Sequence, residues 1–237
     1  MEWPKFQNPK EIAGKAVRVL PLIPFLLLLT QIPASGAPLG QTEVTRGNPE
    51  KGIALTYDCG PWVDRGYINS ILDVLDERGI KVTFFVTGEF IRKNPDDFLR
   101  IIQSGHEIAN HSNTHPDFNS LSDSAIRTEL AETERKASEY GVSTKPLWRA
   151  PFGARSSRVR EVAAGEGYDT NVMWALDSGD WVAGISGAQV QRNLLRAQAG
   201  DIVVDHCNTP FASVYANAID IYHAQGIRVV PVSELIN

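Results

Sequence analysis

Cysteine is scarce in this sequence, which has two cysteines in 237 residues. Two thiols cannot form the disulfide framework of a small secreted domain or a zinc ribbon with four thiolates. Excess basic charge is also lacking, since 28 acidic residues outnumber 23 basic ones, and a nucleic-acid partner is therefore not expected. With 43% hydrophobic and 22% charged residues, the composition excludes a chain that is disordered throughout and a multi-span membrane protein.

The first forty residues differ from the remainder of the chain. Basic side chains between residues 5 and 18 precede an apolar stretch at 19–29, and small residues follow at 34–37. This order is typical of a secretory signal peptide, and the apolar stretch is short for a membrane span, which needs roughly 20 residues. We expect residues 1–37 to be a signal peptide or, alternatively, an uncleaved N-terminal anchor that would provide the only membrane attachment. The mature protein should then be secreted or associated with the cell envelope.

Residues 38–50 are rich in glycine, proline and threonine and are predicted to be a linker, and residues 51–237 are predicted to form one domain. Periodicity predicts strands at 53–57, 81–86, 106–110, 147–150, 170–176, 202–205 and 227–230. The segments between them predict helices at 67–78, 95–103, 122–140, 156–165, 186–199 and 212–225. Such regular alternation indicates a parallel α/β sheet, for which a compact barrel fits better than the alternative, an open doubly wound sheet.

Polar side chains cluster where these strands end. The segments at 56–61, 111–116, 148–153, 177–181 and 205–207 contain aspartate, histidine, arginine and tryptophan in place of ordinary turn-forming residues. In a βα barrel the active site lies at the carboxyl ends of the strands. Five such segments on one rim therefore indicate a functional site.

His111 and His115 are separated by four residues. If the segment forms one helical turn, both imidazoles face the same side, which suits a single divalent ion. Two exposed loop histidines are the alternative, but the acidic residues and the further histidine on the same rim favour a metal site.

Taken together, the five segments resemble the five motifs of the polysaccharide deacetylase family, the NodB-homology domain of carbohydrate esterase family four. The family pattern T-F-D-D-G is similar to residues 56–60, and H-[ST]-x-x-H matches 111–115. R-x-P-[YF] matches 149–152, D-x-x-D-W matches 177–181, and His206 matches the histidine of the last motif. The resemblance covers about residues 50–235. It implies a distorted (β/α)7 barrel and a metal-dependent hydrolase that removes N-acetyl groups from an amino-sugar polymer, peptidoglycan or chitin-like. The predicted signal peptide or anchor adds the expectation that this hydrolase is exported.

The resemblance also implies catalytic roles. Asp58 would act as the general base toward a metal-activated water, and Arg149 would keep Asp58 ionised and oriented. His206 would protonate the leaving amine as the general acid, and Asp180 would raise the pKa of His206.

The same resemblance implies substrate and metal contacts. Pro151 and Phe152 would lie beside the substrate, with a backbone N–H near Phe152 stabilising the oxyanion. Trp181 would form the wall of the pocket that accepts the acetyl methyl group. One divalent metal ion, most simply zinc, would be bound by His111 and His115.

Cys59 departs from the family pattern, which has an aspartate metal ligand at this position. Three interpretations remain open. Cys59 is a thiolate ligand that completes a site with His111 and His115 and favours zinc; or it forms a disulfide with Cys207, which export permits; or the site has lost its metal and its activity.

The alternatives in function follow from this departure. Besides the metal-dependent N-deacetylase, the chain could be a non-catalytic glycan-binding relative, or an esterase or amidase that acts on another acylated substrate. In each case we expect an N-acetylated or otherwise acylated saccharide or small molecule as the partner. The sequence carries no signal of oligomeric state.

Overall fold

The computed structural model describes residues 42–63 and 65–237. The predicted signal peptide or anchor lies outside the described residues, as does the first part of the predicted linker. The strands are β1 (Thr42–Val44), β2 (Ala54–Cys59), β3 (Thr83–Val86), β4 (Glu107–Asn110), β5 (Leu147–Trp148), β6 (Thr170–Val172), β7 (Leu176–Asp177) and β8 (Ile202–His206). The helices are α1 (Arg65–Glu77), α2 (Gly88–Lys93), α3 (Pro95–Gln103), α4 (Asp123–Ser138), α5 (Ser157–Gly165), α6 (Gly187–Leu194), α7 (Ala212–Ala224) and α8 (Val232–Ile236).

The strands form one parallel sheet in the order β1-β6-β5-β4-β3-β2-β8-β7. This sheet curves into a half-barrel, so the predicted α/β barrel class is confirmed. Within the described ranges, β1 and β7 are the edge strands and do not pair with each other. None of the helices in these ranges is long and apolar enough to cross a bilayer.

Side-chain alternation gives β2 two different faces. Leu55, Tyr57 and Cys59 belong to the large apolar cluster that contains residues of α1 and α7, and this side is called the helix face below. Thr56 and Asp58 project from the opposite side, called the cleft face. On α1, the apolar residues Ile68, Ile71, Leu72 and Leu75 recur at helical spacing and are buried in the same cluster, as the periodicity predicts.

Three sequence predictions differ from the fold, and a short helix was missed. β1 lies within the predicted linker at 38–50, so the linker prediction is wrong for residues 42–44, which pair with β6. The predicted strand at 170–176 is two strands, β6 and β7. The Met173 N–H donates to the Val44 carbonyl of β1, whereas the Ala175 N–H donates to the Ile202 carbonyl of β8, near the opposite edge of the sheet. The predicted strand at 227–230 contributes one isolated bridge, from Val229 to Ile53. Helix α2, which starts directly after β3, was not predicted.

Candidate active site

A cleft opens at the carboxyl ends of the strands, where the sequence places the site. Its volume is about 530 Å³, inside the range of about 300–1,000 Å³ that is common for small-molecule sites. Side chains from all five predicted segments contribute to its surface. The lining residues are Asp58, Trp62, His111, His115, Ala150, Phe152, Gly153, Trp174, Asp177, Trp181, Val204, His206 and Asn208.

Asp58 and Arg149 form a buried ion pair below the cleft. Arg149 Nη1 lies 2.7 Å from Asp58 Oδ1 and 2.9 Å from Thr56 Oγ1, and Arg149 Nε donates to the Val172 carbonyl at 2.9 Å. Burial raises the pKa of Asp58, but the charge and hydrogen bond of Arg149, together with the charge of protonated His206, outweigh burial and hold the pKa of this carboxyl below its ordinary value. Asp58 is therefore ionised at neutral pH, and the predicted contact with Arg149 is present.

His206 is held by Asp180 through two atoms. Asp180 Oδ1 lies 2.7 Å from His206 Nδ1, and Asp180 Oδ2 accepts the His206 backbone N–H at 2.8 Å. Burial lowers the pKa of His206, but the hydrogen bond and charge of Asp180 outweigh burial and raise the pKa to about 9. The imidazole therefore carries a proton at neutral pH.

Tyr215, which the sequence patterns do not single out, supports this pair. Its hydroxyl donates to Asp180 Oδ2 at 2.7 Å. Tyr215 lies in the apolar pattern of α7, where a buried tyrosine is typical core, so only the tertiary contact reveals its role.

His111 and His115 lie in the loop after β4, with ring centroids 4.9 Å apart. The two rings lie close together, as the spacing predicts for one helical turn, but the segment reaches this arrangement without forming a helical turn. Ser112 and His115 have φ of 70° and 67°, and Ser112 Oγ accepts the His115 N–H at 3.0 Å. Left-handed backbone costs roughly 1–2 kcal/mol per residue and is concentrated at functional sites.

Both histidines are neutral imidazoles at physiological pH. Burial lowers the pKa of His111 below its ordinary value and that of His115 to about 4. His111 Nδ1 lies 2.9 Å from the Arg149 carbonyl oxygen, which can only accept, so we assign the ring proton to Nδ1. His111 Nε2 then has a lone pair and lies 3.6 Å from Asp58 Oδ2.

Cys59 and Cys207 form a disulfide with a Cα–Cα distance of 5.0 Å. The parallel register pairs Asp58 with His206, so the residues that follow them, Cys59 and Cys207, also lie side by side. Both cysteines are fully buried in the apolar cluster of the helix face, and neither lines the cleft. The prediction that Cys59 is a thiolate metal ligand is wrong in this structure, because its sulfur is bonded to Cys207 and faces away from the two histidines.

Two predicted substrate-binding residues are exposed in the cleft and one is not. Phe152 is 74% exposed and Trp181 is 62% exposed. Trp181 Nε1 donates to the Asp177 carboxylate at 3.1 Å, so Asp177 orients the indole. Pro151 is buried and begins the 3-10 turn that carries Phe152, so it supports the loop and does not line the cleft.

Two further tryptophans in the cleft were not predicted. Trp62 follows β2 and is 59% exposed, and Trp174 follows β6. The signal for Trp62 was its place directly after Gly60 and Pro61, in a loop at the carboxyl end of a strand.

A family comparison agrees with this geometry. The family model described as polysaccharide deacetylase matches residues 45–171, which is more than half of the chain. The chain belongs to the polysaccharide deacetylase family. The resemblance that the five motifs indicate is therefore confirmed.

Individual relatives of this polysaccharide deacetylase family member have different descriptions. The uncharacterised protein YlxY of Bacillus subtilis is 30% identical over 195 residues, which cover 82% of this chain and 60% of YlxY. A peptidoglycan-N-acetylglucosamine deacetylase of Bacillus cereus is 31% identical over 194 residues, which cover 80% of this chain and 90% of that protein. The chain thus spans less than two thirds of YlxY.

Solved structures with the same fold include BA3943 of Bacillus anthracis, described as a CE4 family pseudoenzyme. It is 26% identical with a TM-score of 0.77, and the match covers 83% of this chain and 69% of BA3943. A mutant of BA3943 is described as having restored enzymatic activity; it is 28% identical, with a TM-score of 0.77 and coverage of 83% and 72%.

The family implies a divalent metal, and the donors of this deacetylase-family chain do not fit a resident ion. Catalytic zinc sites use three protein ligands. His111 and His115 offer neutral nitrogens, and the sulfur at position 59 is committed to the disulfide. Within residues 42–63 and 65–237, no group of three histidine, cysteine, aspartate or glutamate side chains could hold a metal ion.

Proposed function

We propose that this protein binds N-acetylated cell-wall polysaccharide in its cleft, outside the cytoplasm, and releases acetate from it slowly or not at all. The observation that carries this proposal is the Cys59–Cys207 disulfide, which occupies the position of the family's third metal ligand. The family assignment and the open cleft support the ligand class. The disulfide and the predicted signal peptide both support export, because disulfides persist in oxidising compartments.

The site has too few carboxylates for efficient hydrolysis. The family's mechanism uses one aspartate as base and another as metal ligand, whereas Asp58 is the only carboxylate of its motif here. If Asp58 served as a ligand, no base would remain beside the water. If Asp58 served as the base, a cation would have two neutral imidazoles and no anionic protein ligand.

A second candidate is the metal-dependent N-deacetylase that the motifs predict. The observation in its favour is that both catalytic pairs have the geometry that the chemistry requires. Asp58, ionised and fixed by Arg149, could accept a proton, and His206, protonated beside Asp180, could give one to the leaving nitrogen. This candidate still requires a divalent ion at His111 and His115.

Two measurements on the same preparation separate the candidates. Acetate release is followed on N-acetylglucosamine oligomers and on peptidoglycan, with added zinc or cobalt and with a chelator. Binding is followed by sedimentation with insoluble peptidoglycan or chitin. We expect binding that survives the chelator, together with acetate release at the background level. Chelator-sensitive acetate release would support the second candidate, and the absence of binding to either polymer would contradict the proposal.

A further inference from the structure

The exposed apolar surface of this protein is concentrated at the cleft. Among the described residues, Phe152, Trp181 and Trp62 are the three most exposed large hydrophobic side chains, at 74%, 62% and 59%. All three line the cleft, whereas the other exposed large side chains do not. Exposed apolar patches of this kind mark ligand-binding grooves.

Trp62 is held in place although it is exposed. A Cβ atom on residue 60 would come within 3.0 Å of the Trp62 indole, so Gly60 allows the ring to lie against the main chain. The indole also makes a T-shaped contact with the His115 ring, with ring centroids 5.0 Å apart and an interplanar angle of 79°. An aromatic ring that is fixed before binding loses little entropy when a ligand stacks on it.

The aromatic side chains occupy two separate parts of the cleft. Trp62 and Phe152 both contact the ring of His115, at centroid distances of 5.0 and 4.7 Å. Trp181 follows β7 and is bound to Asp177. Trp62 follows β2 and Trp181 follows β7, and β8 lies between these two strands in the sheet. The carboxyl ends of β2 and β7 are therefore separated by two strand spacings, which is about 10 Å.

We propose that the Trp62 indole forms a second sugar subsite in the cleft. The indole stacks on the sugar ring adjacent to the sugar whose acetamide group lies between Asp58 and His206. The apolar face of a pyranose ring packs on an indole, whereas its hydroxyl groups remain in water. The cleft therefore prefers an oligosaccharide to a single N-acetylhexosamine. This inference rests on the proposed function, because it assumes that N-acetylated glycan is the ligand.

The test measures the affinities of the full chain for N-acetylglucosamine and for its linear tetrasaccharide by titration calorimetry. The wild type should bind the tetrasaccharide more tightly. Trp62→Ala should reduce the ratio of the two affinities by between about threefold and tenfold, the value of one aromatic contact. Trp181→Ala should weaken binding of both sugars. Leu99→Ala removes an exposed side chain on α3 that does not line the cleft, and it should leave the ratio unchanged.

The outcomes distinguish this inference from the proposed function. Tetrasaccharide binding with an unchanged ratio in Trp62→Ala would overturn the subsite and leave the proposed function intact. Wild type that binds neither sugar, and no polymer, would overturn both. Because Trp62 is exposed, we expect the thermal unfolding curve of Trp62→Ala to match that of the wild type. A matching curve shows that the reduced ratio of affinities comes from the lost indole and not from unfolding of the variant.

Discussion

The two faces of the β2–β8 pair differ sharply although they are one residue apart in the chain. On the cleft face, Asp58 and His206 are ionised, and each contacts a partner of opposite charge. On the helix face, Cys59 and Cys207 share a covalent bond inside the apolar cluster. Strand alternation therefore separates a charged site from an apolar covalent link within a single dipeptide.

The helix face also disfavours the charged form of the acidic residue that β8 places there. Asp205 is fully buried, and its pKa is raised well above the ordinary value by burial and by the charge of Asp180. Burial thus favours the protonated form of Asp205, whereas Asp58, on the neighbouring strand, is a carboxylate. Variants that disturb one face and spare the other test how separate the two faces are.

The largest effect is expected from removing the covalent link. Cys59→Ala with Cys207→Ala should lower the free energy of unfolding by about 4 kcal/mol, because the bond joins residues 148 apart and restricts the unfolded chain. Denaturant unfolding measures this loss. Wild type unfolded under reducing conditions is the control and should match the double variant. Two reactive thiols in the native protein, purified without reductant, would contradict the disulfide.

The next prediction moves a carboxylate to position 59. Cys59→Asp with Cys207→Ala should raise zinc affinity by more than about a hundredfold, since losing even an outer-shell partner of a metal site costs 10–100-fold. Because Cys59 is the last residue of β2 and Gly60 follows, a side chain freed from the disulfide can turn toward His111 and His115. Zinc affinity is measured by competition with a chromophoric chelator, and acetate release should then become chelator-sensitive.

The matched control for this variant is Cys59→Ser with Cys207→Ala, which breaks the disulfide without adding a carboxylate. It should bind zinc as weakly as the wild type. A folded aspartate variant that does not bind zinc would show that the direction of the side chain, and not the missing carboxylate, limits the site.

The third prediction uses pH to probe the helix face. His106 is buried against Phe84, and its Nδ1 accepts the Val82 N–H at 3.3 Å. Burial lowers its pKa to about 4 from an unfolded value of 6.5. Between pH 6.5 and 4, His106 is therefore protonated in the unfolded chain and neutral in the folded chain. The contribution of neutral His106 to the free energy of unfolding is complete above pH 6.5 and is lost as pH falls toward 4. The loss should reach about 3 kcal/mol.

His106→Gln retains an acceptor for Val82 and removes the titrating ring. The difference in unfolding free energy between wild type and variant should change by this amount between pH 7 and 4, measured by urea unfolding at each pH. A difference that does not vary with pH would show that His106 is not protected from protonation in the folded state.

The smallest effect is expected from Gly60→Ala, which touches only the cleft face. The new Cβ would crowd the Trp62 indole, so we expect a shifted tryptophan emission and a change in stability below about 1 kcal/mol. In the Trp62→Ala background the same substitution should have no effect on emission. An equal emission shift in both backgrounds would place the disturbance outside Trp62.

Much of the fold could be predicted because its elements carry local signals. The helix at 95–103 matches α3, since Pro95 starts it and Ser104-Gly105 ends it. The strand predicted at 170–176 fails because the chain there passes from β6, which lies beside the edge strand β1, to the opposite edge strand β7, and this change of position in the sheet has no local signature in the sequence. Helix α2 is six residues long, too short for its period to be recognised.

The polar residues of the candidate site could be predicted from the sequence, but the bonding partner of Cys59 could not. Spacing and strand ends locate Asp58, His111 and His206, because parallel strands bring their carboxyl ends to one rim. The partner of Cys59 depends on the register between β2 and β8, which are far apart in the chain. Trp62 was missed because an aromatic residue in a loop has no period that distinguishes ligand contact from packing.

The covalent link between residues 59 and 207 has a further consequence for the integrity of the molecule. It turns the intervening chain, which carries His111, His115, Arg149 and Asp180, into a closed ring. A protease that cuts any one loop of this ring leaves a single molecule, because the two pieces remain tied through sulfur. Such a nicked protein would run as two fragments on a gel only after reduction.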